Sequence, residues 1–216
     1  MKGHYPVIVL IGGEMEEQYA LVTRKAIETI SRVAEDLHAV VVCGGTDMGI
    51  MAEIGQTRAR NNYTFPLVGV TPEELVTWPG GPRNTKLLWW GKQRWQLEPH
   101  YSHFILVPGS EFGDESPWIV DTATLLSKGY RSVTILINGG EVSRMDIQLS
   151  LEDGRRVIVL SRTGRLADEL ARQPERNSMI TILPVSAVQS LAGAVQRALS
   201  IKERIEEPIT FRSLIQ

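Results

Sequence analysis

Short runs of β-branched and aliphatic residues recur along the chain. Between them lie stretches in which apolar positions return every three or four residues. The runs Pro6 to Ile11, Val40 to Cys43, Leu67 to Val70, His103 to Val107, Ser132 to Ile137, Arg156 to Leu160 and Met179 to Leu183 read as strands. Helical spacing marks Glu16 to Leu37, Gly49 to Arg60, Pro117 to Lys128, Arg165 to Arg172 and Ser186 to Glu203. Most strand candidates are apolar at successive positions and not at alternate ones. Such strands belong to a parallel sheet covered on both faces. Strand–helix alternation along the whole chain therefore predicts an α/β fold, an open and doubly wound sheet with helices on both faces.

The rhythm breaks once, at "TWPGGPRNTKLLWWGKQRWQLEPHYS", residues 77–102. This segment holds four of the five Trp, and sets Arg83, Lys86, Lys92 and Arg94 against Glu98. A connection this long in a compact domain usually has a function, as a lid or as a contact between copies. We therefore expect one domain over residues 1–207, with 77–102 as an insertion and 208–216 as a C-terminal tail. Trp89, Trp90 and Trp95, interleaved with Lys86, Lys92 and Arg94, suit either stacking on a base or a homo-oligomer contact.

The chain has 216 residues, 43% of them hydrophobic and 22% charged, with a net charge of −2. That balance argues against general nucleic-acid affinity, which needs a basic face. The longest apolar runs are strand-sized, so no membrane span is expected. The start, "MKGHYPVIVLIGG", goes directly into a strand and a glycine turn. It reads as a domain start and not a signal peptide, which places the protein in the cytoplasm. Cys43 stands alone and falls on a strand, where a small buried residue is expected. The four His show no metal-ligand spacing, so no metal site is expected. His100 and His103 bracket Ser102, and a hydrogen-bonded structural role is the commoner one for such residues.

Candidate chemistry lies in the glycine turns at the ends of the predicted strands. In "VVCGGTDMGIMAEIG", a strand ends in Gly44 and Gly45, and Gly49 opens a helix. Glycines there let backbone approach a phosphate, and the helix start offers free N–H groups, here of Ile50 and Met51. The spacing matches neither the dinucleotide GxGxxG nor a phosphate-loop GK[ST], so a plain tight turn stays open beside phosphate binding. Asp47 suits a helix cap or a ribose hydroxyl better than a phosphate. Glu14, Glu16 and Glu17 complement the dipole of the first helix and would oppose a phosphate at that turn.

The segment "VVCGGTDMGIMAEIGQTRARNNYTFPLVGVTP" resembles the glycine segment of the lysine-decarboxylase-like, or LOG, proteins of the SLOG superfamily. "LEPHYSHFILVPG", "VTILINGG" and "VIVLSRTGRLADELA" are similar, in this order, to segments of the nucleotide-binding domain of melastatin-type TRP channels. The chain is accordingly identified as a stand-alone prokaryotic-type member of the LSDAT branch, SLOG in TRPM. That resemblance implies a Rossmann-like fold and a nucleotide- or NAD-derived ligand: ADP-ribose, cyclic ADP-ribose, NAD or AMP, with no firm cofactor beyond it. It also implies a pocket built from Gly12, Gly13, Gly44, Gly45, Thr46, Gly49, Gly109, Ser110, Glu111, Gly113, Gly139, Gly140, Thr163, Gly164 and Arg165. Several glycine turns at one end of a sheet suit an extended ligand independently of any family.

The enzymatic LOG pattern PGGxGTxxE is here "PGSEFGDESPWIVD", longer by one residue and lacking the Thr. Glu111 and Glu115 are the catalytic candidates that remain. Arg162 and Arg165 flank Thr163 and Gly164; a guanidinium there is placed to clamp a phosphate or a distal ribose, and the alternative is a surface pair, with Arg165 bonding Asp168 or Glu169 along the helix. The leading expectation is a sensor or ligand-dependent assembly domain that binds a small nucleotide ligand. The alternatives are an N-glycosidic hydrolase acting on nucleoside monophosphates, and a scaffold that assembles through its Trp-rich segment.

Overall fold

The computed structural model describes residues 5–82, 93–128, 131–173 and 177–200. Arg83, Lys86, Trp89, Trp90 and Lys92 of the insertion, and the 208–216 tail, lie outside the described residues.

In chain order the elements are β1 (Val7–Gly12), α1 (Glu17–Asp36), β2 (Val40–Cys43), α2 (Gly49–Arg60) and β3 (Leu67–Pro72). A 3₁₀ turn and the two-residue strands β4 (Val76–Thr77) and β5 (Trp95–Gln96) follow, then β6 (His103–Val107) and α3 (Ser116–Ser127). The second half comprises β7 (Ser132–Ile137), α4 (Glu141–Glu152), β8 (Arg156–Ser161), α5 (Arg165–Arg172), β9 (Ile180–Pro184) and α6 (Val188–Ser200).

Seven strands form one parallel sheet in the order β6-β3-β2-β1-β7-β8-β9. The chain winds outward from β1 through β2 and β3 to β6, then crosses back to lay β7 on the other side of β1. This is the Rossmann-like doubly wound fold that the pattern predicts. Successive crossovers diverge between β1 and β7, so the crevice for a ligand opens there, beyond the carboxyl ends of the strands.

Alternation along each strand sends side chains to two cores. Ile8, Leu10, Val41 and Cys43 meet α1, α2 and α6 on one face. Val7, Val9, Ile11, Val40 and Val42 meet α3, α4 and α5 on the other. Side chains such as Ile8, Leu10 and Ile135 are wholly buried, each stabilising by roughly 1.5–3 kcal/mol relative to exposure. Two elements depart from the sequence reading. Helix α4 was not expected, and the described ends of the insertion pair as the short parallel ladder β4–β5.

Candidate functional site

Two turns meet at the crossover. β1 ends at Gly12 and Gly13, and β7 runs beside it into Asn138, Gly139 and Gly140. A Cβ on Gly12 would fall 2.1 Å from the Ile137 carbonyl oxygen, so only glycine allows the two strand ends to lie this close. Asn138 is buried in the left-handed region, φ 51°, which Asn tolerates better than most residues. Its Oδ1 accepts the Gly13 N–H at 2.8 Å and the Gly139 N–H, and its Nδ2 donates to the Glu14 carbonyl. Its own N–H donates to Thr163 Oγ1 at 2.8 Å, and that hydroxyl donates to the Leu160 carbonyl at 2.6 Å. One side chain thus ties the turns after β1 and β7 together, while its backbone reaches the turn after β8. Sequence reasoning passed over Asn138; the Asn-Gly dipeptide is the signal that could have found it.

The Gly44–Met51 turn is drawn into this assembly from the β2 side. Gly49 has φ +52°, and a Cβ there would meet the Gly13 carbonyl oxygen at 2.3 Å. The Ile50 N–H donates to that same oxygen at 3.2 Å, so this amide serves turn-to-turn packing. Gly45 lies against Gly69 and the Phe104 ring. Thr46 is buried and bridges antiparallel to Leu97, while the exposed Asp47 donates its N–H to the Gln96 carbonyl at 2.8 Å. The described end of the insertion therefore covers the glycine turn, and the Asp47 side chain makes no cap for α2.

Above these turns lies a cleft of about 220 Å³. Gly12, Gly13, Gly44, Thr46 and Met51 line its β1–β2 side, and Phe112, Ile119 and Val142 give it apolar walls. Trp95 of the insertion packs edge-on against Phe112, ring centroids 5.0 Å apart. Two carboxyl groups line the same cleft: Glu115, at the start of α3, and Asp146, on α4. Each belongs to a residue only 6% exposed. Burial pushes the Glu115 carboxyl above the usual range, against the Gly113 N–H that donates to its Oε2 at 2.7 Å. Burial likewise pushes Asp146 up to about 7; Glu115 adds to the shift and Ser116 opposes it. The Ser116 hydroxyl is the hydrogen-bond neighbour that opposes the shift, and neither Ser116 Oγ nor Asp146 Oδ1 has any other partner among the described residues.

Glu111 by contrast is exposed, as is Ser110. Both donate their N–H groups to Asp114 Oδ2, at 3.1 and 2.8 Å, and Gly109 lies against the Asp114 side chain. The loop after β6 is thus folded around Asp114, with Gly113 and Glu115 turned toward α4 and the cleft.

On the β8 side, the Asp168 carboxylate accepts the N–H groups of Arg162 and Gly164, and Glu169 pairs with Arg144 at 2.9 Å. Neither carboxylate takes Arg165, which has no ion pair among the described residues. Its exposed side chain arches over the crossover instead. Nη1 lies 3.3 Å from where a Gly13 Cβ would be, and Nη2 lies 2.6 Å from that of Gly140. Gly140 is the N-cap of α4 and supplies no side-chain cap, so a guanidinium and a helix N-terminus share one corner of the crevice.

Other candidates lie elsewhere. The Cys43 thiol is buried against Tyr101 Oη at 2.9 Å, and burial pushes it up to about 12. His103 stands at the amino end of β6, where its Nδ1 meets Ser102 Oγ at 2.9 Å. His100 meets the buried Glu98 at 2.6 Å. Among the described residues, no group of three or more His, Cys, Asp or Glu forms a metal site, and no helix is long and apolar enough to cross a membrane.

A parallel sheet with a cleft at its switch point defines the class: an open α/β protein of Rossmann-like topology. Within that class the chain belongs to the family LSDAT_prok, SLOG in TRPM, prokaryote, whose model matches residues 5–204. No curated protein matches the chain. Among solved structures, TM1055, a structural genomics target, is 16% identical over 88% of this chain and 98% of its own, with a TM-score of 0.62. The molybdenum cofactor carrier protein from Chlamydomonas reinhardtii is 14% identical over 92% of this chain and 100% of its own, TM-score 0.60. The molybdenum cofactor binding protein from the phototrophic bacterium Rippkaea orientalis is 16% identical over 89% and 98%, TM-score 0.58. At these identities the likeness is one of fold.

Proposed function

We propose that the chain binds a nucleotide-type ligand, with phosphate, ribose and base, in the cleft at the β1–β7 crossover. The observation that carries this reading is the unpaired Arg165 guanidinium held over Gly13 and Gly140, beside the uncapped start of α4. A cation and a helix N-terminus at one corner suit a phosphate, and the apolar walls of Phe112, Ile119 and Val142 suit a base. ADP-ribose, cyclic ADP-ribose, NAD and AMP form the test panel, with the molybdenum cofactor added because two proteins of similar fold are named for it. Binding of one of them would make the protein a ligand sensor or a ligand-dependent assembly domain of the cytoplasm, acting as a homo-oligomer. A thermal-shift panel tests the reading. At least one ligand raises the melting temperature, and Arg165→Met abolishes that rise; no response from any member overturns the proposal.

Hydrolysis of an N-glycosidic bond is a second reading, favoured by Glu115, a buried carboxyl in the cleft wall. A carboxyl with a raised pKa suits proton transfer to or from the reacting groups. Release of adenine from AMP, lost in Glu115→Gln, is the expected result; no release at millimolar AMP removes this reading and leaves the first intact.

A further inference from the structure

Helix α3 is apolar on two sides. Ile119, Val120 and Ala123 face the sheet and are buried. The outer stripe carries Trp118 and Leu125, two turns apart, which stand 46% and 76% exposed. A helix that is apolar on both sides belongs in an interior, and here the sheet covers one of them. The exposure is also not scattered over the molecule. Among the described residues six large hydrophobic side chains stand out to solvent. Five of them, Ile105, Phe112, Trp118, Leu125 and Met145, sit on β6, the loop after it, α3 and α4. Ile105 alternates with Val107 and so points to the sheet face that α3 covers. Met145 reaches across to the loop, its Cε 3.0 Å from where a Gly113 Cβ would be, next to Phe112. Large apolar side chains gathered on one side of a molecule mark a docking surface.

We propose that this face is an interface between two copies of the chain, packed antiparallel along α3 about a twofold axis. The order of residues along the outer stripe fits a second copy better than a different partner. Asp114 stands exposed before the helix begins, Trp118 opens the stripe, Asp121 and Thr122 lie at its middle, Leu125 follows, and the exposed Lys128 ends it. Turning a copy end for end sets Trp118 against the partner's Leu125, and Asp114 against the partner's Lys128, each contact occurring twice. At the axis Asp121 meets the partner's Thr122, a carboxylate beside a hydroxyl. The opposed helix dipoles favour the same arrangement. A partner of uniform charge would satisfy one end of the stripe and be repelled by the other, whereas the stripe itself supplies both complements.

The described end of the insertion reaches the margin of this face, where Trp95 packs on Phe112. The inner side of α3 carries Glu115 and Ile119 into the cleft, so the second copy backs one wall of it. The interface holds whichever ligand the cleft takes.

Sedimentation equilibrium of the full chain at tens of micromolar tests the proposal, and is expected to give the mass of two chains. Leu125→Glu sets a carboxylate against the partner's Trp118 at two symmetric places, and should raise the dissociation constant of the dimer by about a hundredfold or more. Because Leu125 is exposed in the single chain, the far-ultraviolet circular dichroism of this variant should match wild type. Lys128→Glu faces the partner's Asp114 and should weaken the dimer by about tenfold at low salt, less at high salt. Thr122→Cys places a thiol beside the axis, and air oxidation should link two chains through it. Glu28→Cys, on the exposed side of α1, should stay unlinked under the same conditions, and the buried Cys43 gives no background. A single-chain mass for wild type overturns the proposal. A dimer that survives Leu125→Glu and leaves Thr122→Cys unlinked overturns it as well, since the copies then meet through another face.

Discussion

At the scale of single residues, two glycines of the crevice have opposite reasons to be glycine, and substitution separates them. Gly49 combines a left-handed φ of +52° with a Cβ position 2.3 Å from the Gly13 carbonyl oxygen, which is backbone and cannot yield. Gly49→Ala is expected to destabilise the fold by about 2–4 kcal/mol, read as a lowered urea midpoint with unchanged slope. Gly140 has φ −136°, open to any residue, and its Cβ would meet only the end of the flexible Arg165 side chain, at 2.6 Å from Nη2. Gly140→Ala should therefore leave stability within about 0.5 kcal/mol and weaken ligand binding by about tenfold, as the guanidinium is pushed from its place. Equal losses of stability in the two variants would mean that Arg165 is not the neighbour that Gly140 accommodates. The glycines were legible in sequence because strand-end doublets are conspicuous. Their separate roles were not, since these depend on which atom stands opposite a missing Cβ, and that atom comes from another turn.

At the scale of elements, α4 shows why part of the site was hidden. Its apolar residues Ile147, Leu149 and Leu151 alternate, which is a strand-like signal. The buried positions are Ser143, Asp146, Ile147, Ser150 and Leu151, at helical spacing, but three of the five are polar. The stripe that faces the sheet is thus written largely in polar residues. One of them, Ser150, accepts the Thr134 hydroxyl at 2.9 Å, and another, Asp146, faces the cleft. Asp146 makes this visible in stability. Its folded-state value, about 7, lies above that of an unfolded aspartate, so the native state holds the proton over a range where the unfolded chain has released it. Its contribution is therefore full below about pH 4 and is lost as pH rises toward 7, a change on the order of 4 kcal/mol at most. Asp146→Asn removes this dependence. The stability of wild type minus that of the variant should fall between pH 4 and pH 8 in urea titrations, and parallel curves would show that Asp146 ionises normally.

At the scale of the whole molecule, the strand–helix alternation was enough to predict the doubly wound sheet, because strands buried on both faces leave few other arrangements. The order of the strands was not contained in that pattern. Nothing local in Ser132–Ile137 states that it pairs with β1 and not with β6, and it is this crossover that brings the turns of both halves to one crevice. The proposed ligand, seated there, would touch the β1–β2 half through Gly12, Gly13 and Gly44 and the β7–β8 half through Val142, Ser143 and Asp146 of α4, with Arg165 beside it over Gly13 and Gly140. It therefore binds only the state in which both halves are docked. Mass action then fixes the size of the effect: free ligand at a hundred times its Kd stabilises by about 2.7 kcal/mol, and each further tenfold adds about 1.4. For a chain of this length that corresponds to a rise in Tm of roughly 5–10 °C at the lower concentration, growing linearly with the logarithm of ligand. In native-state hydrogen exchange the added protection should appear together at Gly12, Gly13, Gly139 and Gly140, since none of these turns can open while the ligand spans them. Protection confined to one half of the sheet would place the ligand elsewhere than the crossover.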